Sequence, residues 1–457
     1  MAALKAPQIA KKEGFWDHFN RVFRGHSEPH GAFESTNGSG GPRCSAREEG
    51  GPLGIATLCM PYDWCVTPRS KNCTAKIAAP RSRVGKAEAS LCLRIGQSFC
   101  FEKVAEGIWE GLVGRRVFQI KEAPDSTLFR CVHDGEEALD DSKGPGAFDR
   151  QEAALRKFFR LDVPFAKMVQ KEYSLQRQLK AFLVPWWRLR HRWGLPRGTG
   201  LRVLGIDPVE CLFCFICSAN NNIPRITLMV RRLRERFGLP LAKATPSRPS
   251  GDFLGNPHLT WHAFPSVASL AAASVEDLTQ LGLGYRARLV NGSAIRLMEL
   301  GGPSFLDRLR CQQQETQGPP YEGLRKAREA LLEFPGVGRK VAECVALYGL
   351  GFSAAWPIDT HLMQHSMEDK DFHSFLVSSS EIHKTPEATA VLKHFRRNQL
   401  SPLLHDAIQQ FNQRKYGPFA GWAQALLFIG AIRKSKVQQK ARGSFGKPKK
   451  EPEPHVA

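Results

Sequence analysis

The chain has 457 residues, 42% hydrophobic and 24% charged, the balance of a globular protein with room for two or three domains. Lys and Arg outnumber Asp and Glu by 65 to 44, and the resulting charge of +21 favours a polyanionic partner, nucleic acid ahead of an anionic membrane. No transmembrane helix is expected, and twelve cysteines without a signal-peptide pattern read as reduced thiols in an intracellular compartment.

Residues 1–85 read as a poorly ordered leader, rich in Gly, Ser, Pro and charge between 34 and 54. Within it Phe15, Trp16, Phe19, Val22 and Phe23 follow helical spacing, as a partner-docking or an organelle-targeting helix would. Cys44, Cys59, Cys65 and Cys73 contain no CxxC pair, so they read as incidental thiols rather than zinc ligands.

The pattern changes at Leu91. The stretch Leu91–Val104 alternates, and Trp109, Leu112, Val113, Val117 and Ile120 form short runs broken by Gly107, Gly111 and Gly114. That predicts an antiparallel sheet, in a β-rich domain over 86–205. Phe158, Phe159, Leu161, Val163 and Phe165 lead into helical periodicity. Trp186–Arg202 carries five arginines and three tryptophans, either a nucleic-acid surface or a solvated loop hung on buried rings.

Residues 206–432 read mostly as helices with short loops. The remainder, 433–457, is a basic disordered tail with eight Lys/Arg and no acid between Arg433 and Lys450, fit for phosphate contact or nuclear targeting. The fold class expected is α+β: an antiparallel sheet domain, then a mostly helical domain, with disordered ends.

Cys211, Cys214 and Cys217 resemble part of an iron–sulfur run, but the fourth cysteine and its proline are missing. On an apolar helix face they read as core.

The chemistry concentrates in Tyr321–Leu347. Leu324, Ala327, Leu331 and Phe334 make one helical face, Pro335 stops it, and Gly336-Val337-Gly338 gives a tight turn. Val341, Cys344, Val345 and Tyr348 mark the buried side of a second helix. Such a helix–hairpin–helix can hold a phosphate on glycine N–H groups and a helix N-terminus. Lys340 follows in the first turn, as a phosphate contact or, if deprotonated, a nucleophile. Asp359 comes nineteen residues later in a helix-capping position.

Hairpin, lysine and aspartate together resemble the helix–hairpin–helix superfamily of DNA glycosylases. Within it the chain is similar to the eukaryotic-type 8-oxoguanine DNA glycosylases. The resemblance runs from about Leu91 to Ile432, through IGQSF at 95–99, DPVECLF at 207–213, CSANNNIPRIT at 217–227, LGLGYRAR at 281–288, FPGVGRKVAEC at 334–344, PIDTH at 357–361 and GPFAGWAQALLF at 417–428.

This resemblance implies a bifunctional enzyme that removes 8-oxoguanine opposite cytosine. Lys340 is then the amine that attacks C1′ and forms a Schiff base, and Asp359 stabilises the positive charge developing on the sugar. The Gly96 carbonyl reads the N7–H that 8-oxoguanine has and guanine lacks. Gln424 reads the Watson–Crick edge, and Phe428 and Cys344 wall the pocket. Asn220 fills the gap left by the flipped base, Arg225 and Arg286 read the orphan cytosine, and Tyr285 wedges the stack. Gly336, Gly338, Val341 and His361 contact DNA.

The resemblance further implies no required cofactor and no metal ligands, a structural cation at the hairpin being the one candidate ion. The partners implied are damaged duplex DNA and downstream repair enzymes. The protein is expected as a monomer, off the membrane, in the nucleus, with the mitochondrion as an additional site. An endonuclease III-like reading would need a C-terminal four-cysteine cluster, and no cysteine follows Cys344. A non-catalytic damaged-DNA-binding protein is the alternative of another class.

Overall fold

A computed structural model of the chain describes residues 65–67, 75–78, 89–122, 126–135, 147–163, 200–243, 260–312, 321–383, 386–397 and 400–430. The Phe15–Phe23 stripe, Cys44, Cys59, Cys73, nearly all of the Trp186–Arg202 stretch and the basic tail lie outside them.

The first part is an antiparallel sheet of six strands: β1 (Cys65–Thr67), β2 (Ala75–Ala78), β3 (Phe101–Ala105), β4 (Ile108–Val113), β5 (Arg116–Glu122) and β6 (Ser126–Asp134). Their order is β1-β2-β6-β5-β4-β3. The two-residue side-chain period gives the sheet two distinct faces. Trp109, Ile120 and Phe129 stand in register across β4, β5 and β6, and all three are buried. On the opposite face Glu110, Gln119 and Arg130 form a polar file. Arg130 Nε donates to Gln119 Oε1 at 2.9 Å, and the Gln119 amide donates in turn to Glu110. Trp261 Nε1 donates to the other Glu110 oxygen at 2.7 Å. That bond ties the sheet to a two-stranded ribbon, β7 (Pro240–Lys243) with β8 (Thr260–His262).

Helix α1 (Ala89–Arg94) falls between β2 and β3 in sequence, and α2 (Ala147–Phe158) follows β6. The helical part opens with α3 (Pro208–Cys217). Asp207 caps it, accepting from the Val209 and Glu210 N–H groups, and Pro208 fits the first turn, where no N–H bond is lost. It is buried on nearly every side, as an all-round apolar helix must be. Its one charge, Glu210, is held by Arg234 of α4 (Ile223–Phe237) at 2.6 Å.

Next come α5 (Val267–Ala272), α6 (Val275–Leu278), α7 (Arg286–Glu299), α8 (Pro303–Cys311), α9 (Glu322–Leu331) and α10 (Arg339–Cys344), which continues as a π-helical turn over Val345–Gly349. Then follow α11 (Thr360–Glu368), α12 (Lys370–His383), α13 (Pro386–Arg396) and α14 (Pro402–Tyr416), and a last helix, α15, over 420–430. Residues 369–407 belong to a separate compact unit. There Phe372 packs against Phe375 and Phe395, with ring centroids 6.2 and 5.7 Å away.

The α+β class is observed, with four local corrections. Leu91–Val104 is not one alternating strand. Ala89, Cys92 and Leu93 bury at helical spacing and form α1, and β3 begins only at Phe101. The sheet also reaches back into the segment read as leader, through β1 and β2. Residues 147–158 form a helix, α2, within the part read as β-rich, and the residues that Phe158 and Phe159 lead into, from 164, lie outside the described residues. The β7–β8 ribbon interrupts the part read as helical, because Trp261 serves the sheet's polar file. The three cysteines of α3 are buried, as a core reading requires.

Candidate active site

The hairpin has the expected parts. Leu324, Ala327 and Leu331 bury one face of α9, and Phe334 and Val337 close beneath the turn. Gly336 has φ +79°, and a Cβ there would stand 2.8 Å from Leu289 Cδ1, so no other residue fits without displacement. Gly338 is extended and faces open space. No side chain caps α10, so its first N–H groups point outward unclaimed by a cap. Ser293 Oγ donates to the Pro335 carbonyl at 2.8 Å and ties the turn to α7. The Val341 side chain is buried, so a contact from this residue must use its backbone N–H.

Lys340 is half-buried, with Nζ 3.4 Å from Ser218 Oγ and 5.3 Å over the Phe215 ring. Burial pushes Cys344 up to about 11, Lys340 pulls it down, and Asp359 pushes it up. Asp359 Oδ1 accepts from the Leu362 N–H at 2.8 Å, which makes this carboxylate the N-cap of α11. Three residues after Lys340, Glu343 is fully buried, accepting from Gln409 Nε2 at 3.0 Å and pairing with Arg328 Nη1 at 3.4 Å.

The last helix carries Gln424 and Phe428. Gln424 Nε2 donates to the Pro357 carbonyl at 3.0 Å, two residues before Asp359. Its Oε1 is buried with no hydrogen-bond partner among the described residues. Phe428 lies one turn on, edge to face with His361 at 6.4 Å. Gly421 lets this helix come close: its N–H donates to the Ser353 carbonyl at 2.8 Å, and a Cβ would fall 2.6 Å from the Ala355 carbonyl. Gly96 sits in the loop between α1 and β3 with φ +76°, not in a strand, and Ile223 packs on it.

Asn220, Arg225, Tyr285 and Arg286 come together around one loop. Asn220 is exposed at φ +48°, a left-handed conformation that asparagine tolerates better than most residues. Tyr285 is 57% exposed, yet its hydroxyl donates to the Ala219 carbonyl at 3.2 Å. Arg286 is buried: Nε donates to the Ala219 carbonyl at 3.0 Å, and Nη2 to the Asn220 carbonyl at 2.9 Å. Its guanidinium also lies 4.4 Å over the Tyr285 ring. Arg286 therefore builds the loop that presents Asn220, a role that an arginine after a tyrosine does not announce. Arg225 is exposed, and its backbone N–H donates to Asn222 Oδ1 at 3.0 Å.

Three residues of the site escaped the sequence reading. Phe215 and Ser218 touch the Lys340 amine from α3 and its end, but in sequence they look like part of a core helix. Glu343 looks like a solvated charge between the buried Val341 and Cys344. Its only signal is the strictly apolar spacing around it.

A hairpin with an uncapped helix start, a lysine in its first turn, and an aspartate capping the next helix beside a buried glutamine define a helix–hairpin–helix DNA glycosylase. Comparison with known proteins agrees. Residues 81–212 match the N-terminal domain of 8-oxoguanine DNA glycosylase. The N-glycosylase/DNA lyase OGG1 of Arabidopsis thaliana is 30% identical over 401 residues, covering 86% of this chain and 91% of that protein. The N-glycosylase/DNA lyase of Saccharomyces cerevisiae is 30% identical over 291 residues, covering 63% and 68%. In fold the chain resembles the Clostridium acetobutylicum 8-oxoguanine glycosylase/lyase solved with duplex DNA, at a TM-score of 0.56 and 20% identity, over 82% of this chain and all of that one. The chain belongs to the 8-oxoguanine DNA glycosylase family of N-glycosylase/DNA lyases, and is a DNA repair enzyme of that class.

Proposed function

We propose that the protein excises 8-oxoguanine opposite cytosine from duplex DNA and then cleaves the strand. The observation that carries this reading is the Lys340 amine held at Ser218 and Phe215 just after the hairpin, with Asp359 capping the next helix and Gln424 bonded to Pro357 two residues before it. The Clostridium relative was solved with duplex DNA carrying cytosine opposite 8-oxoguanine, which supports the pairing preference. The net charge of +21 supports a DNA partner.

The enzyme flips the lesion nucleotide out of the duplex. Gln424 commits one amide N–H to Pro357, and its buried Oε1, unpartnered among the described residues, offers the incoming base an acceptor. A guanine-type edge presents N1–H and N2–H donors, and the match is chemical. The Gly96 carbonyl accepts N7–H. Guanine has a lone pair there, so two acceptors would face each other unpaired. Phe428 and Cys344 hold the two faces of the base. Asn220 enters the vacated stack, Tyr285 wedges beside it, and Arg225 reads the orphan cytosine with Arg286 supporting from below. Gly336, Gly338, the Val341 N–H and His361 take backbone phosphates.

Lys340 attacks as the neutral amine. Its nitrogen bonds to C1′ while the C1′–N9 bond breaks, and the base leaves with the electron pair and gains a proton. The Asp359 carboxylate stabilises the positive charge on the sugar and assists proton transfer. Ring opening gives the Schiff base, loss of a C2′ proton expels the 3′-phosphate, and water releases Lys340. The sequence requires no cofactor; a cation on the hairpin's backbone carbonyls would act in DNA binding alone. The working form is a monomer in the nucleus, with a mitochondrial fraction, handing its product to downstream repair enzymes.

Borohydride trapping tests the reading. Duplexes with 8-oxoguanine opposite each of the four bases should give a covalent adduct, strongest opposite cytosine and absent in Lys340→Gln. Lesion binding without an adduct would make the protein a non-catalytic reader.

A further inference from the structure

The loop bearing Gly96 faces a mechanical problem. A glycine at φ +76° sits in the backbone region where freedom is greatest, so the residue itself does not fix its carbonyl. Discrimination by one backbone carbonyl needs that oxygen held to a fraction of an ångström. Something outside the loop must supply the stiffness.

The next residue has the necessary geometry. Gln97 is 2% exposed and uses both ends of its amide on backbone from a distant segment. Its Nε2 donates to the Arg202 carbonyl at 3.0 Å, and its Oε1 accepts from the Leu204 N–H at 2.8 Å. The side chain thus replaces a strand partner, pairing one N–H and one carbonyl two residues apart. The loop is tied on its other flank as well. Cys92 Sγ accepts from the Arg202 N–H at 3.1 Å and donates to the Gly200 carbonyl at 3.4 Å. Leu201, Val203 and Leu204 are fully buried, so the segment that receives these bonds is fixed in the core. Ile223 closes the third side, 3.1 Å from where a Gly96 Cβ would stand.

We propose that Gln97 is a positioning residue for lesion specificity, locking the Gly96 carbonyl at reading distance through its two hydrogen bonds, one donated to Arg202 and one accepted from Leu204. The inference rests on the reading of Gly96 given above. Gln97 is buried with both ends of its amide committed to the 202–204 backbone, so its loss should impair recognition of the base and spare chemistry that needs no base.

The test compares two substrates in Gln97→Met, which keeps the volume and loses both bonds. On 8-oxoguanine:cytosine duplex, kcat/KM should fall by about tenfold or more, together with the preference for binding the lesion duplex over its guanine:cytosine counterpart. On duplex carrying a preformed abasic site, borohydride trapping should run at the wild-type rate. Gln97→Glu keeps the acceptor for the Leu204 N–H and should lie between, and it carries the test if the Met variant is insoluble. A parallel fall on both substrates would reduce Gln97 to general support of the fold and overturn the proposal. Wild-type behaviour on both would overturn it equally. Gly96→Ala separates the two claims. If it abolishes lesion preference while Gln97→Met does not, Gln97 alone is misassigned. If neither variant alters preference, the reading of Gly96 is wrong.

Discussion

The Lys340 amine stands 5.3 Å over the Phe215 ring, and the same ring stacks on Tyr348 at 5.5 Å and meets Phe99 edge-on at 5.9 Å. An aromatic group so braced fixes the approach direction of the amine. Phe215→Leu keeps most of the apolar volume and removes the ring face. Schiff-base formation, followed by single-turnover trapping, should slow about tenfold with KM little changed. An unchanged rate would show that Ser218 alone orients the amine.

Glu343 is a buried charge whose neighbours are already committed to it. Glu343→Ala strips a partner from Arg328 and from Gln409, and breaking such a pair costs on the order of 3 kcal/mol. Chemical denaturation should show the loss as a lower midpoint with the slope unchanged. Glu343→Gln, which keeps a hydrogen-bonding oxygen for Gln409, should cost less.

Arg225 and Arg286 should separate in a paired experiment. Arg225→Ala should relax the preference for cytosine by about 1–3 kcal/mol and leave the melting temperature alone, because its side chain is exposed. Arg286→Ala should lower both, because it removes the bonds that hold the Ala219 and Asn220 carbonyls and leaves Ala219 only the Tyr285 hydroxyl. Excision rates against the four opposing bases, with a melting curve for each variant, decide between these outcomes.

Alkaline pH should unfold the protein early. Burial pushes Cys100 and Cys217 up to about 12 and Cys344 up to about 11, from an ordinary 9.0, and Cys211 and Cys214 also rise well above it. Below pH 9 these thiols are neutral folded or unfolded, and their contribution is complete. Between pH 9 and about 11 the unfolded chain releases their protons while the folded chain retains them. Stability then falls by roughly 1–2 kcal/mol per pH unit for each thiol. Denaturation midpoints measured across this window should drop steeply, and alanine at Cys214 should flatten the slope.

Short-range chemistry was legible in the sequence. The α9 face, the Pro335 stop, the need for glycine at 336 and the Asp359 cap each follow from a few neighbouring residues. What escaped is long-range. Alternation at Leu91–Val104 hid the helix that Ala89, Cys92 and Leu93 make together, since a short apolar run fits either period. The Phe215 contact joins residues 125 apart, and nothing in the apolar run of α3 singles out that ring. The resemblance casts Arg286 as a reader of the orphan cytosine, and no neighbouring residue signals that its side chain is buried. That burial is compensated by the carbonyls of Ala219 and Asn220, 67 and 66 residues away in sequence.

Gly421 carries a consequence for the depth of the base pocket. With no side chain there, the last helix rests directly on the 353–355 backbone, and Gln424 and Phe428 are lowered with it. A single methyl group at this position would act as a shim. It would lift the helix from Ala355 and Leu347, break the Gly421 bond to Ser353, and draw the Gln424 amide off Pro357. In the proposed reading the height of the chamber that receives the base is thus set by an absent atom, about a turn away from Gln424. Resizing that chamber for a bulkier base would begin at Gly421 and Leu347 together, with Lys340 and Asp359 left in place.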